Sequence, residues 1–201
     1  MPKFDPKKYA TEKTQSSSFD RPKKITEGKK ILCPIGAAFK VRNNKKILEI
    51  ASVVIKDLES RGEEGLIYVD QLYLTENALF RLSNLVIAIG WDSPFDYESL
   101  EDITQIMLTG PFEGVFKSRE YNGKEYINLQ FYNSVNWDRD KEEEPIYSDK
   151  EDSLIANAED SWKKILQYRM DDPDKFGRYL SEDESRANNN SNGTLDDEIP
   201  F

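Results

Sequence analysis

The amino-acid sequence predicts a mainly β domain, a small barrel with a helical insertion between its third and fourth strands, followed by an acidic C-terminal tail. Three observations predict it. Strand-length runs rich in β-branched and aromatic residues lie before residue 75 and after residue 111, bounded by Gly, Pro and Asn. Between them, apolar residues recur at spacings of three and four. Charge is segregated along the chain: 14 Lys/Arg against 5 Asp/Glu in residues 1–56, 5 against 14 in 57–133, and 9 against 19 in 134–201. The expected boundaries are a basic flexible arm over 1–28, the barrel over 29–133, an acidic segment with an amphipathic helix over 134–170, and a disordered acidic tail over 171–201.

The arm carries Lys3, Lys7, Lys8, Lys13, Arg21, Lys23 and Lys24, punctuated by Phe4, Tyr9 and Phe19. It reads either as a solubilising tail or as an arm that contacts nucleic acid. The first strand is expected over 30–42, with Pro34 marking an edge or bulge. Asn43-Asn44 is a turn, 46–57 a long β-branched second strand, and 66–74 the third. Tyr68 and Tyr73 fall on opposite faces of that strand, so at most one can join a binding groove.

Thr75 with Glu76 reads as the start of a helix whose buried stripe is Leu79, Leu82, Val86 and Ile89, ended by Gly90. Ser99 with Asp102 is a capping-box-like start for a shorter helix bearing Leu100, Ile103, Ile106 and Met107, stopped by Gly110-Pro111. Asn122-Gly123 is the preferred pair for a two-residue type I′ hairpin between 112–121 and 124–133. That turn sets Tyr121 opposite Lys124, Arg119 opposite Tyr126, Lys117 opposite Asn128 and Phe116 opposite Leu129. One face then holds Phe112, Gly114, Phe116, Ser118, Ile127, Leu129 and Phe131. The other holds Val115, Lys117, Arg119, Tyr121, Tyr126, Asn128, Gln130 and Tyr132. A slip of one residue would drive Lys117 and Arg119 into the core, which specifies the register. Five strands with a helix between the third and fourth is the order of an OB-fold barrel.

Beyond Asn133 the chain turns acidic. Residues 153–170 place Leu154, Ala158, Trp162, Ile165 and Leu166 at helical spacing, for packing on the barrel or for binding a partner. Residues 171–195 read as a polar linker.

Composition removes several function classes. The chain of 201 residues contains no histidine, which excludes His-based general bases and Ser-His-Asp or Cys-His pairs. It has no Gly-Lys-Ser/Thr phosphate loop and no Gly-x-Gly-x-x-Gly. Its acidic residues cluster in the tail, a solvated charge run rather than a metal site. No enzyme activity, cofactor or metal is expected. The lone Cys33 and an N-terminus without an apolar leader lead to the expectation of a cytosolic protein. The net charge of −10 argues against nucleic acid only if it is spread evenly. Screening acts over roughly 8 Å at physiological salt, so a local basic surface can meet phosphates while a distant tail stays negative.

The last six residues carry the sharpest signal. Asp196, Asp197 and Glu198 precede the apolar triplet Ile199, Pro200 and Phe201. A partner for this tip needs an apolar pocket for Phe201, a cation for a terminal carboxylate and a basic rim. Pro200 restricts the backbone and lowers the ordering cost. This ending resembles the acidic tip of bacterial single-stranded DNA-binding proteins, which finish in an acidic run followed by Ile-Pro-Phe. Residues 76–133, with Gly110-Pro111-Phe112-Glu113-Gly114 and Glu120-Tyr121-Asn122-Gly123-Lys124, are similar to phage-encoded proteins of that kind. The resemblance implies coating of single-stranded DNA without sequence preference, in replication, recombination or repair within a bacterial host cell. It also implies recruitment of partner enzymes through 196–201.

Two constellations fit that reading. Lys117, Arg119, Tyr121, Tyr126 and Tyr132 alternate cation and aromatic on the wet face of the hairpin, where bases can stack while cations meet phosphates. Lys40, Arg42, Lys45 and Lys46 surround the first turn, the loop that flanks the oligonucleotide groove of an OB fold. The alternative is an adaptor or decoy that uses the tip to occupy partner sites without binding DNA. Oligomeric state stays open.

Overall fold

A computed structural model describes residues 24–75, 78–107, 110–135, 147–181 and 183–184 of the chain. They form one antiparallel sheet of six strands with helices against it. In chain order these are β1 (Gly28–Arg42), β2 (Lys45–Asp57), β3 (Ile67–Tyr73), α1 (Leu79–Ala88), α2 (Leu100–Met107), β4 (Phe112–Tyr121), β5 (Lys124–Ser134), α3 (Asp149–Met170), α4 (Pro173–Phe176) and β6 (Arg178–Tyr179). The strand order is β3-β2-β1-β4-β5, with β6 added to β1. The long β1 pairs with β4 at its start and with β6 near its end. β3 and β5 end the five-strand path, and β6 lies beside the far part of β1.

The local elements follow from local chemistry. Asn43 and Asn44 turn β1 into β2 with φ of 51° and 59°, a conformation asparagine tolerates well. The expected irregularity near Pro34 is a register shift between Pro34 and Gly36. Asn122 and Gly123 have φ of 52° and 70°, as a type I′ turn requires. Ser99 caps α2, accepting from the Asp102 N–H at 3.2 Å.

The first helix starts later than Thr75 suggests. The residue before α1 is Ala78, which provides no side-chain cap, and the Thr75 carbonyl accepts from the Ala78 and Leu79 N–H groups instead. α3 begins four residues earlier than its apolar spacing indicates. Ser148 and Glu151 form a complete capping box there.

The main core lies between one side of the sheet and the two helices of the insertion. Leu32, Phe39, Leu48, Ile50, Phe112 and Phe116 meet Leu82, Leu85, Val86, Ile103 and Ile106. A second core lies on the opposite side, where Ala158 and Ile155 of α3 cover Ile31, Cys33, Val53 and Ile55. α3 thus packs on the outside of β1 and β2. Trp162 sits so close to Gly36 that a Cβ there would stand 2.6 Å from Nε1. Glycine is needed for this approach.

The C-terminal boundary moves. Residues 171–180 do not begin a tail: α4 and β6 follow α3, and Leu180 is buried in the main core. At the other end, Ile25 packs against that core, and the Thr26 hydroxyl donates to Glu63. Residues 1–23 and 185–201 lie outside the described residues, so the arm before Lys24 and the tip at 196–201 do as well. Among the described residues, no helix is long and apolar enough to cross a membrane.

Candidate functional site

The β4–β5 hairpin has the expected register from its turn to Phe116. Tyr121 faces Lys124, Arg119 faces Tyr126, Lys117 faces Asn128 and Phe116 faces Leu129. Beyond that pair the register shifts: Val115 faces Phe131, which leaves Gln130 as an extra residue in β5. A bulge of this kind reverses the side-chain alternation of every later residue on its strand. Phe131 is therefore turned outward and Tyr132 inward, the reverse of the uninterrupted alternation. Phe131 is 51% exposed and joins Tyr121 at 57% and Tyr126 at 45%. The Lys117 ammonium stands over the Phe131 ring, 5.2 Å from its centroid. The exposed face thus combines Lys117, Arg119 and Lys124 with Tyr121, Tyr126 and Phe131.

Tyr132 does not belong to this face. Its ring lies 5.7 Å from that of Phe112. Its hydroxyl donates to the Asp70 carboxylate and accepts from Arg81 Nη2 at 3.0 Å. Burial, with the Asp70 charge beside it, pushes the Tyr132 hydroxyl far above the usual tyrosine range, so it stays protonated. Arg81 also donates to both Asp70 oxygens at 3.2 Å and to the Leu129 carbonyl at 3.3 Å. Tyr68 is the inward tyrosine of β3. Its hydroxyl accepts from the Leu129 N–H at 3.2 Å, and burial raises its pKa to about 12. Tyr73 is the outward one. Side chains, rather than a backbone ladder, thus connect the edges β3 and β5.

The basic patch at the first turn divides. Arg42 is exposed and Lys45 half-buried at the turn. Lys40 does not belong to this surface: it is 1% exposed and donates to Glu49 Oε1 at 2.5 Å. It sits on the outer side of β1, where β6 and the end of α3 cover it. Glu49 also accepts from Gln71 at 2.8 Å, Arg169 at 3.1 Å and Tyr179 at 2.5 Å. Burial alone would raise the Glu49 pKa, but hydrogen bonds from Lys40 and Tyr179 and the charges of Lys40 and Arg169 hold it below the ordinary value of 4.5. Lys46 is half-buried, 3.8 Å from Glu98, with its ammonium 4.7 Å from the centre of the Phe39 ring. A further basic residue, Lys30, is fully buried beside Glu63 at 3.0 Å and Asp57 at 3.7 Å. Among the described residues, the basic N-terminal third therefore offers less cationic surface than its charge count indicates.

A groove of about 620 Å³ opens between β3, α1 and β5. Tyr68, Asp70, Leu129 and Tyr132 line it together with Phe80, Arg81, Asn84 and Gln130. Arg119 of the hairpin lines it as well, which joins the groove to the exposed face. Sequence reasoning missed Arg81, Phe80 and Phe131. Asp70 is the available signal for Arg81, because a carboxylate between Tyr68 and Leu72 on an inward strand face needs a buried partner. Phe131 and Tyr132 are adjacent aromatics, either of which can fill an inward position. No family model matches this chain, and no curated protein matches it.

Proposed function

We propose that this protein binds single-stranded DNA without sequence preference and has no catalytic role. The observation that carries the reading is the exposed hairpin face, on which Lys117 and Arg119 alternate with Tyr121, Tyr126 and Phe131. Aromatic rings offer stacking platforms to any base, and the cations between them reach the phosphates. The strand order supports assigning the domain to the OB type: β1 lies between β2 and β4, and the helices are inserted between β3 and β4. Residues 196–201, acidic and then Ile-Pro-Phe, recruit replication, recombination or repair proteins in this reading.

Titration of a fluorescent oligo-dT with the full chain at two salt concentrations tests it. Binding that weakens steeply with salt is expected, because neutralised phosphates release counterions. No binding at low salt would end the proposal. One observation favours the adaptor reading instead: α3 covers the outer side of β1 and β2, and Lys40 is sequestered there. A chain that captures partners through 196–201 yet ignores DNA would decide for that reading.

A further inference from the structure

We infer that the groove between β3, α1 and β5 accommodates an unstacked base of a single-stranded nucleic acid, on a strand continuing from the hairpin face past Arg119. This inference rests on the DNA-binding proposal and adds a second, differently built contact site to it. The volume of about 620 Å³ leaves room for a base, with one side of the groove open to solvent. Phe80 stands on the rim and is 62% exposed, an aromatic face turned to solvent. Asn84, Asn128 and Gln130 are exposed carboxamides on the same groove. Each has a donor and an acceptor side by side, the pattern that matches the polar edge of a base. Arg119 places a cation where the groove meets the hairpin face, and Arg81 neutralises Asp70 in the floor. The charge of the site thus suits a phosphodiester strand.

An added peptide strand suits the groove less well. The Leu129 N–H and carbonyl at the β5 edge are already bonded to Tyr68 and Arg81. A strand docking there would have to displace both side chains.

The test uses the full chain and an oligo-dT carrying 5-bromodeoxyuridine, with photocrosslinked residues identified by mass spectrometry. Adducts at Phe80 or elsewhere in α1 are expected, besides those on Tyr121, Tyr126 and Phe131. Phe80→Ala and Asn84→Ala change exposed side chains, so their melting temperatures should stay near that of the parent. Phe80→Ala should weaken oligo-dT binding about tenfold, and Phe80→Trp should restore it. Adducts confined to the hairpin, with parental affinity in both alanine variants, would overturn the groove site and leave the hairpin reading intact. Failure of the parent chain to bind DNA would overturn both.

Discussion

Lys117 and Phe131 form a cation–aromatic pair across the β4–β5 hairpin, with the ammonium 5.2 Å from the ring centre. The pair exists because one extra residue in β5 turns Phe131 out and Tyr132 in. Two neighbouring aromatics consequently have different physical roles. Phe131 offers a ring to solvent, whereas Tyr132 ties β5 to Asp70 and Arg81.

Substitutions at these two positions should separate binding from stability. Phe131→Ala is expected to weaken oligo-dT binding by about 1–3 kcal/mol, the contribution of one stacked base, with little change in urea unfolding. Tyr132→Phe deprives the buried Asp70 carboxylate of a donor and should cost roughly 1–3 kcal/mol of stability. Because Phe keeps the ring and the lost hydroxyl already bonds Asp70 and Arg81, its DNA affinity, measured where it remains folded, should fall far less than that of Phe131→Ala.

The lysines should divide in the same way. Lys117→Ala should reduce the slope of log affinity against log salt by about one. Lys40→Ala should leave that slope unchanged and destabilise the fold, because it removes a cation from the buried Glu49 carboxylate. Since Arg169, Gln71 and Tyr179 still bond to Glu49, the loss should fall at or below the lower end of the roughly 3–5 kcal/mol typical of a broken buried pair. Salt-dependent titrations and urea melts of both variants check this.

Acid should loosen the attachment of α3 and β6. The folded-state pKa of Glu49 lies below its ordinary 4.5. Its stabilising contribution is therefore complete above pH 4.5 and is lost as the pH falls through the lower folded value. Glu63 and Asp57 around Lys30 are lowered as well and act with the same sign. Unfolding free energy measured from pH 7 to pH 3 should drop over the acid end of that range. Glu49→Gln should be less stable than the parent at pH 7 and show a flatter acid dependence. A parental slope in that variant would remove Glu49 as a source.

Removing the acidic end should raise DNA affinity if it competes for the same cations. The cut belongs after Glu184, since Arg178 and Tyr179 pair with β1 and Leu180 fills the core. A chain ending at 184 should bind oligo-dT more tightly than the full chain, most visibly at low salt, where attraction between the acidic end and those cations is least screened. Equal affinities would dismiss competition and leave recruitment through 196–201 untouched.

The elements that the sequence by itself determined are those with local causes. Asn122-Gly123 has the backbone freedom of a type I′ turn, so the hairpin and its register as far as Phe116 were legible. The strands before and after the insertion, the Ser99 cap and the apolar stripe of α3 were legible for the same reason: each depends on residues a few positions apart. Only the tertiary structure decided what happens to charge and to alternation over longer distances. Arg169, 120 positions from Glu49 in the chain, is part of what turns the outer side of β1 into an interior and buries Lys40. Lys40 and Arg42 look alike in sequence, and one is enclosed while the other is exposed. The bulge at Gln130 depends on whether Phe131 or Tyr132 best fills the space beside Phe112 and Arg81, a choice made by packing. Backbone preferences act between neighbours, whereas burial of a charge depends on whichever distant segment folds over it.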